Sequence, residues 1–389
     1  MRNQTILVIG AGIGGLSFAL GAQRAGCRVI VCEAASQLGE VGAGLTVSPN
    51  ATHALEFLGL GEAMARLSDR PESGAGYHYK TGEILYRTQT SGSFKAKYGA
   101  DYYQIHRADL HDALAAAVRA NDPNAIRLTH HFVGMEQTDK GVTATFSNGQ
   151  TITADALIGC DGLRSGVRSV LFGNENPRFT GQVSFRGMVP ADLVRHCMVP
   201  TRSGVFVGPS RIFTRYFLRN LTLVNFVGIC KTDSWKEEGW STPATTEEVL
   251  AEFEGWHECV QTIIKATPPG KLFKWALFDR DPLPVWTKGR VTLLGDAAHP
   301  MLPFLGMGAA MAIEDAAILA RCIAAAGTFE EAFARYETAR KERTTYVLLK
   351  SRAQGELYQS RTPENLKSES GTGEFRLGLF DYNPGTVPV

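Results

Sequence analysis

The sequence has no excess of charge of either sign, since its 389 residues include 40 lysines and arginines against 39 aspartates and glutamates. Proteins that bind nucleic acid present a basic patch, and no dense run of lysine or arginine is present here. No uncharged apolar run reaches the length of a membrane span either. We therefore predict neither nucleic acid nor a membrane as a partner.

Paired cysteines and metal-ligand patterns are also missing. The seven cysteines are odd in number, widely spaced and without a Cys-x-x-Cys pair, which is typical of reduced thiols in a cytoplasmic protein. There is no His-Glu-x-x-His, and the adjacent His130 and His131 point to opposite faces of a predicted strand. Residues 208–212 lack the last glycine of a nucleophile elbow. We expect no metal site and no serine-hydrolase chemistry.

What the sequence does contain is a glycine turn between an apolar run at 5–9 and a helical pattern at 16–25. Backbone N–H groups at such a helix start, together with the positive end of the helix dipole, hold a pyrophosphate. A second apolar run, at 28–32, ends in Glu33, near the spacing at which an acid meets the ribose hydroxyls. This unit predicts a dinucleotide site. Its predicted cofactor-binding residues are Gly10, Gly12, Gly14, Gly15, Glu33 and Ala34.

Two later segments each place an aspartate after a buried strand pattern. Asp161 follows the apolar run at 156–160, and Asp296 follows the run at 291–294. At a strand end, the Asp296 carboxylate can accept hydrogen bonds from cofactor hydroxyls. Gly308 and Ala309 then begin a long helix whose N-terminus can stabilise negative charge on the cofactor. Asp161, Asp296, Gly308 and Ala309 are therefore predicted cofactor residues.

In the order of these three segments the chain resembles the class A flavoprotein aromatic hydroxylases, the family of para-hydroxybenzoate and salicylate hydroxylases. The stretches 98–107, 281–286 and 311–317 resemble the subgroup of 6-hydroxynicotinate 3-monooxygenase and salicylate 1-hydroxylase. The resemblance implies bound FAD, NADH or NADPH as a transient reductant, and O2. It also implies a flavin C4a-hydroperoxide that hydroxylates a small hydroxylated aromatic or N-heteroaromatic carboxylic acid, with or without decarboxylation.

The resemblance also assigns individual residues. It places Arg107 and the backbone of Val133 against the cofactor, and Asp161 near the pyrophosphate and the groove used by NAD(P)H. No second glycine turn of this type exists, so the reductant has no domain of its own. The carbonyl of Pro303 would face the hydroxylation site with Phe304 beside it.

Thr46 departs from the family pattern, because the hydroxynicotinate branch carries a histidine there as a proposed base. A threonine relays a proton but is not a general base at neutral pH. In the β-rich region, Arg211, Phe213, Arg215 and Tyr216 are predicted to clamp a carboxylate and contact a ring. Strand alternation puts the first three on one face and Tyr216 on the other, so they cannot all line one pocket without a bend. The predicted catalytic residues are Thr46, Arg215 and Pro303, and the predicted substrate-binding residues are Arg211, Phe213, Tyr216 and Phe304.

The predicted fold is α/β, with a Rossmann-like FAD-binding domain of glutathione-reductase type interleaved with a β-sheet substrate domain and long C-terminal helices. The FAD-binding domain is predicted to comprise 1–73, 100–176 and 272–325, and the substrate domain 74–99 and 177–271, with a helical region and tail at 326–389. We expect a monomer or homodimer. Two alternatives stay open, namely another FAD oxidoreductase such as a halogenase, whose Trp-x-Trp-x-Ile-Pro signature is missing, or a non-catalytic flavin- or ligand-binding protein.

Overall fold

The computed structural model describes residues 1–39, 43–88, 91–232, 242–359, 363, 366 and 377–389, and it confirms the predicted α/β class. Its strands are β1 Thr5–Ile9, β2 Arg28–Cys32, β3 Gly44–Val47, β4 Gly74–His78, β5 Ile84–Arg87, β6 Tyr103–His106, β7 Ile126–Arg127, β8 Phe132–Thr138, β9 Gly141–Phe146, β10 Thr151–Ala154, β11 Ala156–Gly159, β12 Arg178–Pro190, β13 Ser203–Gly208, β14 Arg211–Leu218, β15 Leu223–Lys231, β16 Thr242–Pro243, β17 Leu272–Asp279, β18 Thr287–Lys288 and β19 Val291–Leu293.

The helices run from the first glycine turn to a long C-terminal element. They are α1 Ile13–Arg24, α2 Pro49–Phe57, α3 Gly61–Leu67, α4 Ser91–Tyr98, α5 Arg107–Asn121, α6 Gly166–Phe172, α7 Thr246–Glu252, α8 Glu258–Lys265, α9 Gly308–Ala325 and α10 Phe329–Tyr358. Short 3₁₀ turns occupy Ala191–Leu193, Arg195–Cys197, Gly295–Ala297 and Pro303–Leu305. None of the helices in the described ranges is both long and apolar enough to cross a membrane.

A six-stranded sheet in the order β18-β19-β11-β1-β2-β7 forms the dinucleotide half of the molecule. All of its pairings are parallel except that of the edge strand β18. Ile9 at the end of β1 lies beside Cys32 of β2 and Gly159 of β11. Because parallel strands end at the same edge, the glycine turn, Glu33, Asp161 and Asp296 follow strand ends that meet there.

Close packing explains two of the glycines in the turn after β1. Gly10 has a φ of +102°, a conformation that side chains other than glycine rarely adopt. A Cβ on Gly15 would lie 2.0 Å from the carbonyl oxygen of Gly10, which is a backbone atom that cannot move aside. The turn therefore needs these glycines in order to form at all.

An eight-stranded sheet in the order β16-β17-β12-β15-β14-β13-β4-β5 forms the second half. Helices α7 and α8 contribute Val249, Cys259 and Ile263 to the core that covers one face. The hairpin β4-β5 joins this sheet. Strand β17 also pairs in it with β12, so the sheet continues to Asp279, past the predicted limit at residue 271.

Helices α9 and α10 close the dinucleotide half from the outside. Helix α9 is almost wholly buried and packs against α1 and α10. Thr328 caps α10 by accepting a hydrogen bond from the Glu331 N–H, 3.2 Å away. The last segment, 377–389, packs back onto this half, and the Leu379 carbonyl accepts a hydrogen bond from Arg343 at 2.8 Å. Of the predicted tail, residues 361–362, 364–365 and 367–376 lie outside the described residues.

Candidate active site

A cavity of about 750 Å³ lies where the carboxyl edge of the six-stranded sheet meets the uncovered face of the eight-stranded sheet. Its size is in the range of sites for cofactors and small ligands. The dinucleotide side contributes two helix N-termini and a carboxylate, and the other side contributes side chains from strand middles. The cavity thus has two walls of different construction, which we call the flavin wall and the sheet wall. The flavin wall includes Gly12, Gly14, Arg107, Gly162, Asp296, Gly308 and Ala309, and the sheet wall includes Arg186, Thr214, Tyr216, Val227, Ile229 and Trp275.

The first helix N-terminus of the flavin wall is that of α1. Gly12 is its N-cap residue, no side chain caps it, and no acidic residue occupies its first turn. A Cβ on Gly12 would meet no heavy atom within 4 Å, unlike one on Gly14, which would lie 2.9 Å from Leu294. Gly12 is therefore not required by the protein's own packing. Its bare backbone leaves room for an anion at a helix start, as a pyrophosphate needs.

Glu33 holds the glycine turn in place. One of its carboxylate oxygens accepts a hydrogen bond from the Ala11 N–H at 2.8 Å, and the other accepts from the Ala35 N–H at 2.9 Å. Each carboxylate oxygen can accept more than one hydrogen bond, so these contacts leave capacity for ribose hydroxyls. Glu33 and Ala34 do not line this cavity.

The second helix N-terminus of the flavin wall is that of α9. Gly308 is its first residue, Met307 is its N-cap, and no side chain caps it. Gly306 precedes it with a φ of +64°, which turns the chain into the helix. Gly308 and Ala309, which are predicted cofactor residues, line the cavity. An 18-residue helix thus presents unpaired N–H groups and its positive dipole end to the cavity.

Asp296 is the carboxylate of the flavin wall. Its side chain is open to the cavity yet enclosed within the protein, and this burial raises the pKa of Asp296, while His299 and Arg107 partly oppose the rise. Within the described ranges no donor forms a hydrogen bond to it. A carboxylate in such a position is available to accept hydrogen bonds from the hydroxyls of a bound molecule.

A buried ionic network supports the loop that carries Asp296. Asp315 accepts hydrogen bonds from the Gly295 N–H at 3.1 Å and from His299 at 2.6 Å, and it pairs with Arg340 at 2.7 Å. Although burial alone would raise it, His299 and Arg340 bring the pKa of Asp315 down to about 2. Glu314 pairs with Arg340 at 2.6 Å. His299 therefore has a structural role beside the site.

The other predicted cofactor residues divide between the cavity and its surroundings. Arg107 begins α5 and lines the cavity. Asp161 uses both carboxylate oxygens on its own turn, since it accepts from the Ser165 hydroxyl at 2.5 Å and the Val167 N–H at 3.1 Å. The next residue of that turn, Gly162, lines the cavity instead. Val133 lies on β8 with 54% of its surface exposed and outside the cavity lining.

Thr46, Pro303, Phe304 and Tyr216 all line the cavity, so four of the predicted catalytic and substrate residues come together. A Cβ on Gly44 would lie 2.7 Å from the Tyr216 hydroxyl, which shows that this hydroxyl lies against β3, the strand of Thr46. Burial raises the pKa of Tyr216, with a smaller opposing effect from Arg186. Tyr216 is therefore a protonated hydroxyl at neutral pH and can donate a hydrogen bond.

The structure does not bring Arg211, Phe213 and Arg215 to the cavity, contrary to the prediction. The alternation of β14 turns these side chains to the opposite face. Arg211 pairs there with Glu252 of α7 at 2.8 Å, and Phe213 stacks on Phe226 at 5.0 Å between ring centres. Arg215 is wholly buried near Thr201. The residues of β14 that line the cavity are Ile212, Thr214 and Tyr216.

The sheet wall instead carries a cation that the sequence analysis missed. Arg186 on β12 lines the cavity, and its guanidinium lies 3.8 Å from the centre of the Trp275 ring. Burial lowers the pKa of Arg186 to about 9, and the nearby Arg107 adds to the decrease. The signal in the sequence was an arginine inside a strand pattern, between Phe185 and Gly187, with the polar residues Gln182 and Ser184 at the two alternate positions before it.

The model of the FAD binding domain family matches residues 3–351. A 3-amino-4-hydroxybenzoate 2-monooxygenase of Streptomyces platensis is 38% identical over 90% of this chain and 87% of its own length. A 6-hydroxynicotinate 3-monooxygenase of Pseudomonas fluorescens is 36% identical over 89% of this chain and 90% of its own. Among solved structures, a salicylate hydroxylase substrate complex superimposes with a TM-score of 0.79 at 28% identity, covering 94% of this chain and 93% of that one. These matches confirm FAD as the cofactor and the predicted resemblance to the aromatic hydroxylases.

Proposed function

The chain belongs to the FAD binding domain family and is an FAD-dependent monooxygenase; we propose that it hydroxylates a small hydroxylated aromatic or N-heteroaromatic carboxylic acid with NAD(P)H and O2. The observation that carries the proposal is the cavity, in which a flavin wall and a sheet wall face each other. The first wall has the helix N-termini and carboxylate that FAD needs. The second has an aromatic ring, a cation and a hydroxyl, which suit an aromatic acid.

The flavin wall fits FAD in three respects. The uncapped start of α1 at Gly12 would hold the pyrophosphate, and the unpaired Asp296 carboxylate would accept from ribityl hydroxyls. The uncapped start of α9 at Gly308 would stabilise negative charge on the reduced ring. Reduced flavin supplies the activation of O2 for transfer of one oxygen atom to an electron-rich carbon.

The chain's own residues position the substrate and handle its proton. Pro303 and Phe304 from the loop before α9, with Thr46 from β3, bound the space between the two walls. Asp296 is the only carboxylate, and no histidine is present, among the described residues that line the cavity. The hydroxyls of Tyr216 and Thr46 therefore bind the substrate hydroxyl and pass its proton to water, because neither is a base at neutral pH.

The sequence has no second glycine turn of this type, so NADH or NADPH would visit transiently, and the resemblance implies that it enters by the groove near Gly162. The Asp161 carboxylate accepts hydrogen bonds from within its own turn, so its role beside this groove is to stabilise the loop. A cytoplasmic location and a monomeric or homodimeric state stay predictions, as do the domain boundaries.

A screen of the purified protein tests the proposed function. The compounds are the three hydroxybenzoates and the hydroxypyridine carboxylates, each supplied with NADH or NADPH in air. We expect a yellow protein with FAD bound, NAD(P)H consumption stimulated by a subset of the acids, and a product heavier by one oxygen atom. Loss of carbon dioxide in addition would assign the decarboxylating reaction.

Two outcomes would contradict the proposal. Bound FAD with no compound that stimulates NAD(P)H consumption would favour a non-catalytic flavin protein. Chlorination or bromination of the ring in the presence of halide, without hydroxylation, would favour a halogenase.

A further inference from the structure

One face of β12 carries three polar side chains in succession, Gln182, Ser184 and Arg186, on the side away from the core formed with α7 and α8. Their Gln182 Oε1, Ser184 Oγ and Arg186 Nε atoms are buried without a hydrogen-bond partner in the described structure. Buried polar atoms are nearly always paired, so a run of unpaired ones indicates a missing partner. Arg186 is the member of the run that lines the cavity.

Arg186 also lacks a counterion. No carboxylate of the described ranges lies within ion-pair distance of it, whereas Arg211 on the same sheet pairs with Glu252 at 2.8 Å. Its neighbours are the Trp275 ring, 3.8 Å from the guanidinium, and apolar residues, since Val227 and Phe273 are its cross-strand partners. A cation held over an aromatic ring keeps its N–H groups, which lie in the guanidinium plane, free to bind an anion at the edge.

The sheet register relates Arg186 to the hydroxyl of Tyr216. Arg186 pairs with Val227 and Val227 with Thr214, so these residues form one row across the sheet. Tyr216 lies two residues further along β14, about 7 Å from that row and beside β3. Thr214 is itself two strand spacings, roughly 10 Å, from Arg186, so the α-carbons of Arg186 and Tyr216 are roughly 12 Å apart, and their side-chain ends are near enough to affect each other's pKa. A cation and a hydroxyl donor thus line the same cavity, where one small aromatic molecule can contact both.

We propose that Arg186, stacked on Trp275, binds the carboxylate of the aromatic substrate and selects acids over neutral analogues, while Tyr216 receives the ring hydroxyl. This inference rests on the proposed function and names the group that the site recognises. Binding a carboxylate would supply the counterion that Arg186 lacks and would use its unpaired N–H groups. The planar guanidinium can donate two parallel hydrogen bonds to a carboxylate and so fixes the orientation of the substrate ring. The ammonium group of a lysine at this position would orient the ring less well.

Matched acids and amides test the inference. The probes are 2-, 3- and 4-hydroxybenzoate and the corresponding hydroxybenzamides, which differ in charge but keep the ring and its hydroxyl. We expect wild-type kcat/KM for NAD(P)H oxidation to favour the best acid over its amide by at least ~10-fold, as a charge-assisted hydrogen bond implies. Arg186→Gln should remove this preference mainly through a higher KM for the acid. Arg186→Lys should recover part of it.

Arg211→Gln is the matched control, because Arg211 lies on the same sheet but on the covered face. It should keep the wild-type preference for acids, and FAD content and thermal unfolding show that each variant is folded. Retention of the acid preference in a folded Arg186→Gln variant, or equal wild-type activity on acids and amides, would overturn the inference and leave the proposed function intact. If neither acids nor amides stimulate the wild type, the proposed function fails and the inference falls with it.

Discussion

The two walls of the cavity are built on different principles. Apart from the side chains of Asp296 and Arg107, the flavin wall consists of backbone at the ends of strands and the starts of helices, where α1 and α9 present unpaired N–H groups. The sheet wall consists of side chains from strand middles, and its character depends on which face of β12 and β14 points inward. The flavin wall therefore depends on local turn geometry, whereas the sheet wall depends on register and on what covers the opposite face.

This difference matters for substitutions. A change on the flavin wall acts through backbone positions that few residue types can occupy. A change on the sheet wall acts through one side chain at a time, since the strands keep their hydrogen bonds whatever they carry. We therefore expect most substitutions on the flavin wall to weaken cofactor binding, whereas substitutions on the sheet wall should change the substrate preference.

The largest expected effect separates two glycines of one turn. Gly15→Ala would place a Cβ 2.0 Å from the Gly10 carbonyl oxygen, so we expect a loss of more than ~4 kcal/mol in stability or failure to fold. Gly12→Ala meets no protein atom within 4 Å. Its apoprotein should unfold near the wild-type temperature while its Kd for FAD rises at least ~10-fold. Thermal unfolding and fluorescence titration with FAD measure both. If Gly15→Ala and Gly12→Ala changed stability and FAD affinity equally, the assignment of Gly15 to folding and Gly12 to cofactor binding would be contradicted.

Asp315→Asn tests the support behind the flavin wall. It removes the partner of His299 and Arg340 from a fully buried site, so we expect a loss of about 3–5 kcal/mol. The folded-state pKa of Asp315, about 2, lies below its ordinary value, so its stabilising contribution is complete above ~pH 4 and is lost as the pH falls towards 2. The gap between wild type and variant in denaturant unfolding should shrink over that window. A gap that is independent of pH would contradict the assigned ionic role.

Asp296→Ala separates binding from stability on the flavin wall. FAD occupancy should fall and Kd should rise about 10-fold, because a charged acceptor for the cofactor's hydroxyls is lost. Burial raises the pKa of Asp296, so its charged form destabilises the folded apoprotein above its ordinary pKa. Asp296→Asn should accordingly unfold at a higher temperature than the wild-type apoprotein at pH 7, and not at pH 3. Wild-type flavin content in the alanine variant would refute the role of Asp296.

Arg211→Gln is expected to have the smallest effect. Its ion pair with Glu252 is partly exposed, so the loss of stability should stay below ~1 kcal/mol. The KM for an aromatic acid should not change, because the side chain lies on the face covered by α7. Steady-state kinetics with the best acid of the screen measure this. A KM raised as much as that of Arg186→Gln would mean that the sheet wall has been assigned to the wrong face.

The sequence could propose residues of the flavin wall because the requirements of that wall are local. A strand, a glycine turn and a helix follow one another within 20 residues, and each has a short sequence pattern that can be recognised without knowledge of the rest of the chain. Asp296, Gly308 and Ala309 were predicted for the same reason and line the cavity. Pro303, Phe304 and Thr46 were placed by resemblance, and the structure brings them to the same cavity.

The sheet wall was predicted poorly because alternation along a strand defines two faces without saying which one is covered. Strand alternation correctly placed Tyr216 on the opposite face of β14 from Arg211 and Arg215. The pattern did not say which face meets a ligand, so residues of both faces were proposed as substrate contacts. In the structure α7 supplies Glu252 to Arg211, and the core with α8 encloses Arg215.

The sequence by itself determined the cofactor and the family, because FAD binding depends on short backbone patterns that need glycine or an acid at set positions. Only the tertiary structure decided which face of the eight-stranded sheet lines the cavity, and hence that Arg186 rather than Arg215 reaches it. The choice of face depends on packing between segments that are far apart in the sequence. Helices α7 and α8 follow β14 in the chain, and their packing against one face of the sheet leaves only the other open to a ligand.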